Sequence, residues 1–227
     1  MSISIIIPVR NEEDAIGPCL DGLSGCTDLE ILVVDGDSTD QTVREATQRG
    51  HKPILSPPGR GSQQNTGAKA ASGDILLFLH SDTRLPHNFA THVRDIMQQE
   101  GIAAGAFQLA INAKGWGYRI IECGANLRSR MFSLPYGDQA LFMKRDTYFA
   151  ASGFPDQPIM EEVVLLSRVK KHGRIVTAPA SVTTSARRWQ QHGIVKTTIV
   201  NQLMLAGWAL GIPPNRLARW YYKNKPW

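Results

Sequence analysis

Three apolar runs in this chain each stop abruptly at a carboxylate or another polar residue. The runs LFLH, EILVV and SIIIPV lead into Asp82, Asp35 and Glu12, respectively. A short apolar run bounded by turn residues is typical of a buried strand. Ligands of open α/β sheets bind at the carboxyl ends of the strands. The three runs therefore predict one crevice that takes a cation and a nucleotide.

Strand-like and helix-like segments alternate through the first hundred residues. Strands are expected at 3–9, 30–35, 53–55 and 75–80, and helices at 12–23, 39–49, 61–72 and 87–99. Ser38 or Thr39 is expected to cap the second of these helices, and Gly50 to end it. This order predicts an α/β fold with a doubly wound, mostly parallel sheet and helices on both faces.

The second half of the sequence is less regular. Strands or extended pieces are expected at 103–111, 139–143, 175–177 and 182–186, and helices at 115–130, 145–151, 159–172, 190–210 and 213–223. The large apolar side chains of Trp116, Tyr118, Met131 and Phe132 are expected in the core.

Composition indicates one full-sized core, because the chain has 227 residues of which 42% are hydrophobic. No basic region precedes the first strand, so no signal peptide is expected. The longest apolar stretch, 194–212, is interrupted by polar residues such as Lys196 and Asn201, which makes it a poor membrane span. Three cysteines (Cys19, Cys26 and Cys123) without ligand-like spacing indicate reduced thiols and a cytoplasmic location.

The formal net charge is +5, most of which a solvated surface accounts for. Basic residues near the C-terminus alternate with aromatic ones: Arg216, Arg219, Trp220, Tyr221, Tyr222, Lys223, Lys225 and Trp227. No nucleic-acid motif accompanies them, so no nucleic-acid partner is expected. Peripheral contact with the inner face of a membrane stays open. So does a homodimer formed through the apolar face of 194–212.

Asp82 is the first candidate for binding a divalent cation, because such ions take a few hard oxygen ligands on a rigid base. The alternative is an ordinary turn or helix-capping aspartate before Pro86. Asp35 and Glu12 at neighbouring strand ends favour the functional interpretation. Asp35 or Asp37 is a candidate to accept a hydrogen bond from a base or ribose.

A glycine-rich turn, Gly59-Arg60-Gly61, precedes a helix that carries Asn65. It either lets the backbone approach a donor or simply begins a helix with a small-residue face. It lacks the ordered Lys and Ser/Thr of a Walker loop. Asp138 follows another turn and is a candidate to contact an acceptor or a donor sugar, with an ordinary turn aspartate as the alternative.

Taken in order, several segments resemble glycosyltransferase family 2. They are SIIIPVRNEE, EILVVDGDSTDQT, GRGSQQNTGAKAASGDILLFLHSDTRLP and PYGDQALFMKRDTYFAASGFPDQPIMEEVVLLSRVKKHG. TSARRW and the helix after it resemble the branch of arsenosugar-biosynthesis or radical-SAM-associated glycosyltransferases. The resemblance implies a GT-A domain at 1–190, with a nucleotide-binding half (1–100) and an acceptor half (101–190). A helical extension at 191–227 is expected to pack on the same domain.

The resemblance also implies roles for individual residues. The nucleotide would be bound by Pro8, Arg10, Glu12, Asp35, Asp37 and Ser81, to which the glycine-rich turn adds Arg60 and Asn65 as candidates. The metal, Mn²⁺ or Mg²⁺, would be bound by Asp82 and His80. The phosphates would be bound or covered by Arg187, Arg188 and Trp189. The catalytic base would come from the acidic pair Glu161-Glu162.

Two positions depart from the family's pattern. His80 stands where the family's DxD motif has its first acid, so it is a metal ligand, a hydrogen-bond donor to phosphate or a structural histidine. Glu162 stands where the base is usually an aspartate, and its extra methylene shifts the carboxylate. Glu161 and Asp138 therefore remain alternative bases. The helix N-terminus is expected to keep the base ionised.

The expected activity is inverting transfer of a sugar from a nucleotide-diphosphate sugar, with UDP-sugars favoured, to a small hydroxyl acceptor, in arsenosugar-type biosynthesis. The alternatives are transfer to a lipid phosphate at a membrane and a non-catalytic module that binds sugar nucleotides. A nucleotidyltransferase should carry a glycine-rich signature with lysine after the first strand, and NEEDAIG stands there instead.

Overall fold

The computed structural model describes residues 1–25 and 28–222. Cys26, Lys223, Lys225 and Trp227, which the sequence interpretation named, lie outside the described residues. The strands are β1 (Ile3–Val9), β2 (Leu29–Asp35), β3 (Ile54–Leu55), β4 (Ile75–Phe78), β5 (Thr83–Arg84), β6 (Ile102–Asn112), β7 (Phe142–Lys144) and β8 (Arg174–Ser185).

The helices mostly alternate with these strands as far as β8, although β5 directly follows β4 and α7 directly follows α6, and three more helices follow β8. They are α1 (Glu13–Asp21), α2 (Thr42–Gln48), α3 (Arg60–Ala70), α4 (Phe89–Gln98), α5 (Trp116–Phe132), α6 (Arg145–Ala150), α7 (Glu161–Val169), α8 (Arg187–His192), α9 (Ile194–Ala209) and α10 (Pro214–Tyr221). A 3₁₀ turn at Gly137–Gln139 precedes β7. Within the described residues, no helix is both long enough and apolar enough to cross a membrane.

The strands form one eight-stranded sheet in the order β3-β2-β1-β4-β7-β6-β8-β5. Strands β3, β2, β1 and β4 are parallel, and β6 is parallel to β8. Strand β7 runs antiparallel to both β4 and β6, and β5 runs antiparallel to β8. The predicted α/β class and mostly parallel sheet are confirmed.

Two apolar layers cover the sheet, one on each face. Ile5 and Ile7 of β1 point into the layer formed with α1 and α4, whereas Ile6 between them points into the layer formed with α3, α6 and α7. This alternation follows from the two-residue period of a strand. Near-continuous apolar runs such as β1 and β4 are what a strand buried on both faces requires.

The C-terminal helices pack on the same body. Leu217 of α10 is fully buried and clusters with Ile159, which lies just before α7, and with Met204 of α9. Helix α5 lies along β6, where Leu109 N–H donates to Asn126 Oδ1 (2.7 Å) and Ile111 N–H donates to Glu122 Oε1 (2.5 Å).

Some predicted elements were wrong in detail. The two extended pieces at 175–177 and 182–186 are one strand, β8, because the whole segment pairs with β6 through two register shifts. The helix predicted at 190–210 is divided at Gly193, whose φ of 84° is left-handed. The strand predicted at 139–143 is instead Phe142–Lys144, because Gln139 belongs to the 3₁₀ turn and the strand begins only at Phe142.

The predicted burial of the large side chains of α5 was also wrong in three of four cases. Tyr118 is buried, but Trp116, Met131 and Phe132 are exposed. The inner face of α5 consists of Tyr118, Ala125 and Ser129, so the larger side chains lie on its outer face.

Gly67 of α3 is expected to be intolerant of a side chain. A Cβ there would lie 2.5 Å from Ile6 Cγ2 and 3.0 Å from Val34 Cγ2, both in the rigid sheet. We expect Gly67→Ala to lower the free energy of unfolding by about 1–3 kcal/mol in urea titration. Gly124→Ala is the matched control, because nothing lies within 4 Å of the added methyl group. An equal effect of the two substitutions would contradict this account of the packing.

Candidate active site

The carboxyl ends of β1, β2 and β4 meet at one edge of the sheet. Val9 at the end of β1 pairs with Asp35 at the end of β2, and Glu12 follows β1 by three residues. Leu79 after β4 donates its N–H to Ile6 O (2.9 Å), which brings the following residues, including His80 and Asp82, to the same edge. The structure thus brings together the three polar strand ends that the sequence singled out.

Asp35 presents an unpaired carboxylate oxygen at this edge. Its side chain is buried, and Oδ2 accepts the Ser38 N–H (3.1 Å). Its Oδ1 is buried and has no hydrogen-bond partner in the described part of the chain. A buried, unpaired acceptor is costly unless a ligand or water pairs with it. Asp37 is exposed, with a left-handed φ of 68°.

The predicted capping of α2 by Ser38 or Thr39 was wrong. The helix begins at Thr42, whose N–H donates to Asp40 Oδ1 (2.9 Å). Ser38 Oγ instead accepts the Asn11 N–H (3.0 Å), and the Thr39 N–H donates to Asn11 Oδ1 (2.8 Å). These bonds fasten the loop after β1 to the loop after β2.

His80, Ser81 and Asp82 form a tight turn between β4 and β5, in which the Thr83 N–H donates to His80 O (3.0 Å). The Ser185 N–H at the end of β8 donates to Asp82 O (3.1 Å) and fixes the turn from the other side. Ser81 is buried. Burial raises the pKa of the Asp82 carboxyl, although the guanidinium groups of Arg187 and Arg60 oppose the rise.

His80 is neutral at physiological pH. Burial, with a smaller contribution from the charge of Arg60, lowers the pKa of its imidazole to about 3. Its Nε2 is buried without a hydrogen-bond partner among residues 1–25 and 28–222. A neutral imidazole with an unpaired ring nitrogen is able to bind a metal ion or a polar ligand atom.

Glu12 and Arg187 form an ion pair across the site, with Arg187 Nη2 2.8 Å from Glu12 Oε2. Burial raises the pKa of the Glu12 carboxyl despite this partner. The hydrogen bond to Glu12 raises the pKa of Arg187. A residue predicted to contact the nucleoside and one predicted to lie near the phosphates therefore contact each other, and they link the loop after β1 to α8.

Glu161 and Glu162 occupy the first turn of α7 and face Arg60 at the start of α3. Arg60 Nη1 lies 3.7 Å from Glu161 Oε1 and 3.8 Å from Glu162 Oε1. Burial, reinforced by the charge of Glu162, raises the pKa of Glu161 to about 7. The helix N-terminus was expected to help keep the base ionised; backbone hydrogen bonding does lower the pKa of Glu161, but burial is the larger effect.

Gly137 lies where the predicted metal site and the predicted base come together. A Cβ on Gly137 would lie 2.6 Å from Glu162 Oε1 and 2.8 Å from His80 Nε2, so only glycine leaves room for both. Burial raises the pKa of neighbouring Asp138 to about 6, and the charges of Glu162 and Asp82 add to the rise. Asp138 Oδ1 is another buried oxygen without a partner in the described chain.

Arg188 extends from α8 over the C-terminal helix. Its guanidinium lies 4.7 Å from the centre of the Tyr221 ring and donates to the Tyr221 hydroxyl. Burial lowers the pKa of Arg188, and the charge of Arg60 acts in the same direction. Arg10 at the end of β1 has a buried Nε without a partner within the described residues, and Pro8 is half-buried beside it.

Two predicted site residues have structural contacts instead. Trp189 is buried in an apolar cluster with Leu109, Ile111 and Tyr118, so its ring is not free to close over a donor. Asn65 accepts hydrogen bonds from the Tyr148 hydroxyl and the Phe154 N–H and donates to Phe154 O. We therefore leave both out of the proposed site. The partners of Asn65 come from distant segments that no local sequence pattern shows, whereas Trp189 Nε1 is buried without a hydrogen-bond partner in the described part of the chain.

Sequence reasoning missed three contributors. Gly137 leaves the space between Glu162 and His80, and the signal for it was its place between Tyr136 and Asp138 in PYGDQ. Arg128 of α5 lies 3.5 Å from the centre of the Tyr136 ring and is an opposing charge for Asp138. Burial raises the pKa of Tyr222, whose hydroxyl is near the charge of Arg60. Nothing in sequence spacing indicated the last two.

Left-handed backbone conformations concentrate around this site. Six described residues other than glycine have positive φ, and four of them border the site: Asn11, Asp37, Ala140 and Met160. Such conformations cost about 1–3 kcal/mol each and persist where the surrounding structure enforces them. Met160, with φ 64°, directly precedes the acidic pair.

The donor atoms suit a divalent cation that a substrate also binds. Among the described residues there is no cluster of three or more His, Cys, Asp or Glu side chains that would hold an ion alone. Asp82 offers a hard carboxylate, and His80 Nε2 is an unpaired ring nitrogen. Mg²⁺ commonly binds through one or two carboxylates together with substrate phosphates and water. The residues present therefore fit such an ion.

The ionisation of Glu161 should make stability depend on pH. Its pKa in the folded protein, about 7, lies above the unfolded value of 4.5. The folded state then binds the proton more tightly, so this group's contribution to stability is full below pH 4.5 and is lost as pH rises towards 7. We expect the melting temperature of Glu161→Gln, relative to wild type, to increase between about pH 5 and about pH 8.

The exposed Glu100→Gln is the matched control for this measurement and should show no such trend. A constant difference between Glu161→Gln and wild type across the pH range would contradict the burial argument.

The fold and part of the sequence are similar to known glycosyltransferases. Over 94 residues the chain is 38% identical to poly(ribitol-phosphate) beta-glucosyltransferase of Bacillus spizizenii. Over 98 residues it is 33% identical to glucosyl-3-phosphoglycerate synthase of Mycolicibacterium paratuberculosis. These matches cover 36% and 38% of this chain but only 15% and 30% of the two relatives.

Among solved structures, glucosyl-3-phosphoglycerate synthase of Mycobacterium tuberculosis, in complex with Mn²⁺ and UDP-glucose, superposes with a TM-score of 0.60 at 23% identity, covering 81% of this chain and 70% of that one. The mannosyltransferase PcManGT of Pyrobaculum calidifontis, in complex with GDP-mannose and Mn²⁺, gives a TM-score of 0.63 at 18% identity, covering 80% and 56%. These similarities show the GT-A fold. Residues 4–153, well over half of the chain, match the profile of Glycosyl transferase family 2, and the chain therefore belongs to that family.

Proposed function

We propose that this protein is a metal-dependent, inverting glycosyltransferase that uses a nucleotide-diphosphate sugar. The observation that carries the proposal is the grouping around Gly137. Glu162 and His80 both face this glycine, and the charges of Asp82 and Glu162 both act on Asp138. Asp82, which is suited to bind a metal–diphosphate, and Glu162, which is suited to act as a base, thus belong to one site.

The nucleoside is proposed to lie at the ends of β1 and β2. Asp35 offers an unpaired Oδ1 there, and Arg10 an unpaired Nε, which suit the hydrogen-bonding groups of a base and ribose. Asp37, Glu12 and Pro8 complete this part of the proposed site. UDP-sugars are the first candidates and GDP-sugars the second, since structural neighbours with the same fold are in complex with UDP-glucose and GDP-mannose.

The diphosphate is proposed to lie against positive charge and the turn that carries Ser81. Arg60, Arg187 and Arg188 supply fixed guanidinium groups, which stabilise the charge that develops on a leaving diphosphate. Asp82 and His80 would hold Mn²⁺ or Mg²⁺, which supplies Lewis-acid neutralisation of that charge when bound. Arg187 already pairs with Glu12. A bound diphosphate must therefore either share the Arg187 guanidinium with Glu12 or replace Glu12 as its partner.

Glu162 is the proposed base. Its side chain is more open to solvent than that of Glu161, 13% against 5% exposed, and it faces Gly137. In the proposed step, Glu162 accepts the proton of the acceptor hydroxyl as that oxygen bonds to the anomeric carbon. The bond from this carbon to the diphosphate oxygen breaks on the opposite face, and the configuration inverts. Glu161 and Asp138 are the alternative bases.

The acceptor is proposed to be a small molecule that carries a hydroxyl group. The names of the two relatives, which refer to phosphoglycerate and poly(ribitol phosphate), support hydroxyl acceptors that bear phosphate. The resemblance of TSARRW to the arsenosugar branch makes an arsenosugar precursor a second hypothesis. Transfer to a lipid phosphate is a third. Peripheral membrane contact and the homodimer stay predictions from the sequence.

Three variants distinguish the candidate bases. We expect Glu162→Gln to lower kcat for transfer by about 10²–10⁴-fold, the usual contribution of a positioned base. Glu161→Gln and Asp138→Asn should lower it less. The assay follows release of nucleoside diphosphate from UDP- and GDP-sugars with Mn²⁺, with and without small hydroxyl acceptors. Exposed Glu100→Gln is the control.

An unchanged kcat in Glu162→Gln would contradict its role as the base. Binding of a donor without either transfer or hydrolysis would favour the non-catalytic module. Release of pyrophosphate from a nucleoside triphosphate would favour the nucleotidyltransferase.

The space at Gly137 gives an independent prediction. Gly137→Ala should displace Glu162 and His80, because the methyl group would lie 2.6 Å from Glu162 Oε1 and 2.8 Å from His80 Nε2. Such displacements cost about 10- to 100-fold in kcat where geometry is tight. Its melting temperature should change little, because flexible side-chain ends yield. Gly124→Ala again serves as the control, and equal activity of the two variants would contradict the arrangement.

A further inference from the structure

An apolar stripe runs along the outer side of α5. Trp116 is 88% exposed and Ile120 68%, and Leu127 and Met131 continue the exposed series. At about 100° per residue these positions fall within one narrow sector of the helix. The buried residues of α5, among them Tyr118, lie on the opposite side. The helix therefore has an apolar face towards the core and a second apolar face towards solvent.

Helix α9 repeats this arrangement. Val195, Ile199 and Leu203 are exposed at intervals of four residues, whereas Thr197 and Met204 are buried on the other side. Exposed large apolar residues are ordinary when scattered, but a contiguous group marks an interaction site.

The two stripes begin beside the same contact between the helices. A Cβ on Gly117 of α5 would lie 2.9 Å from Ile194 Cδ1 of α9. Trp116 immediately precedes Gly117 in the chain, and Val195 immediately follows Ile194. We call Trp116, Ile120, Leu127, Val195, Ile199 and Leu203 the outer apolar surface.

Basic residues outnumber acidic ones on the helices that carry this surface, since α5 has Arg119, Arg128 and Arg130 against Glu122, and α9 has Lys196 and no acidic residue. All 20 acidic residues of the chain lie at or before Glu162, whereas 11 of its 25 Lys and Arg residues come after it. Helices α9 and α10 carry the exposed basic residues Lys196, Arg216 and Arg219 and no acidic residue. The part of the chain that supplies half of the outer apolar surface is thus uniformly cationic.

We propose that the outer apolar surface binds the surface of an anionic lipid bilayer, with α5 and α9 lying in the interface. Apolar stripes with an exposed tryptophan and flanking basic residues are typical of helices that bind in this way. Each basic residue near an anionic membrane adds attraction. A second copy of the chain is disfavoured as the occupant, because pairing this face with itself would bring together two faces on which basic residues outnumber acidic ones.

The test is co-sedimentation of the whole protein with vesicles, in the absence of sugar nucleotide and metal. One set of vesicles is phosphatidylcholine alone, and the other is a mixture of phosphatidylcholine and phosphatidylglycerol. We expect binding to the anionic vesicles that weakens as salt rises, and little binding to the neutral ones. This assay contains no sugar donor, so an absence of vesicle binding would not argue against the proposed glycosyl transfer. An absence of glycosyl transfer would likewise not argue against membrane binding.

The decisive variant is Ile120→Glu combined with Leu203→Glu, which should weaken partitioning onto anionic vesicles by at least about tenfold. Leu55→Glu is the matched control, since Leu55 is 76% exposed but lies on β3, outside this surface. It should bind as wild type does. Lys196→Glu with Arg219→Glu tests the charge separately and should weaken binding while retaining the melting temperature of wild type.

Three outcomes would overturn the proposal. The first is equal binding by wild type and the Ile120/Leu203 variant. The second is equal binding of wild type to neutral and anionic vesicles. The third is a dimer in analytical ultracentrifugation that this variant dissociates, together with no vesicle binding by wild type, which would assign the surface to a second copy.

Discussion

The interaction of Arg60 with the acidic pair Glu161-Glu162 is the constraint on which the rest of the site depends. The carboxylates of Glu161 and Glu162 repel each other, and burial removes their hydration, so both effects disfavour the charged forms. The nearby positive charge of the Arg60 guanidinium favours the charged forms and opposes both effects. Burial alone would lower the pKa of Arg60, but the charges of Glu161 and Glu162 outweigh it and raise that pKa. Because Arg60 begins α3 and the acids begin α7, the same interaction joins two helices that lie about one hundred residues apart in the chain.

The sheet explains why these charges meet. Parallel strands direct their carboxyl ends to one edge, and the loops that follow β1 and β2 are held together there by hydrogen bonds such as that from Asn11 N–H to Ser38 Oγ. Buried oxygens of Asp35 and Asp138 are left without partners at this edge, and left-handed residues border it. A site that stores unpaired polar groups and backbone strain is prepared to bind a polar ligand. The outer apolar surface on α5 and α9 is not part of this polar site.

Sequence patterns placed the strands that are buried on both faces more accurately than the strands that are half-exposed. Strand β1 was placed correctly because an uninterrupted apolar run has no other stable environment. Strand β8 is half-exposed and contains Pro179, so it resembled two short pieces. The outer stripe of α5 was taken for core because periodicity shows that a helix has an apolar face but not which way it points. Contacts between distant segments, such as Arg60 with Glu161, depend on packing that no local pattern contains. The same limit applies to Asn65 and Trp189, whose partners are structural.

The most direct test of the central claim is donor binding that depends on both metal and Asp82. Thermal shift would be measured with UDP-, GDP-, ADP- and CDP-sugars, with and without Mn²⁺, for wild type, Asp82→Ala and the exposed control Asp95→Ala. At about one hundred times Kd a ligand stabilises the folded state by about 2.7 kcal/mol, which is readily detected. We predict a shift for one nucleotide class that requires Mn²⁺, persists in Asp95→Ala and is lost in Asp82→Ala. A shift that is the same in Asp82→Ala, or no shift with any donor, would contradict the account.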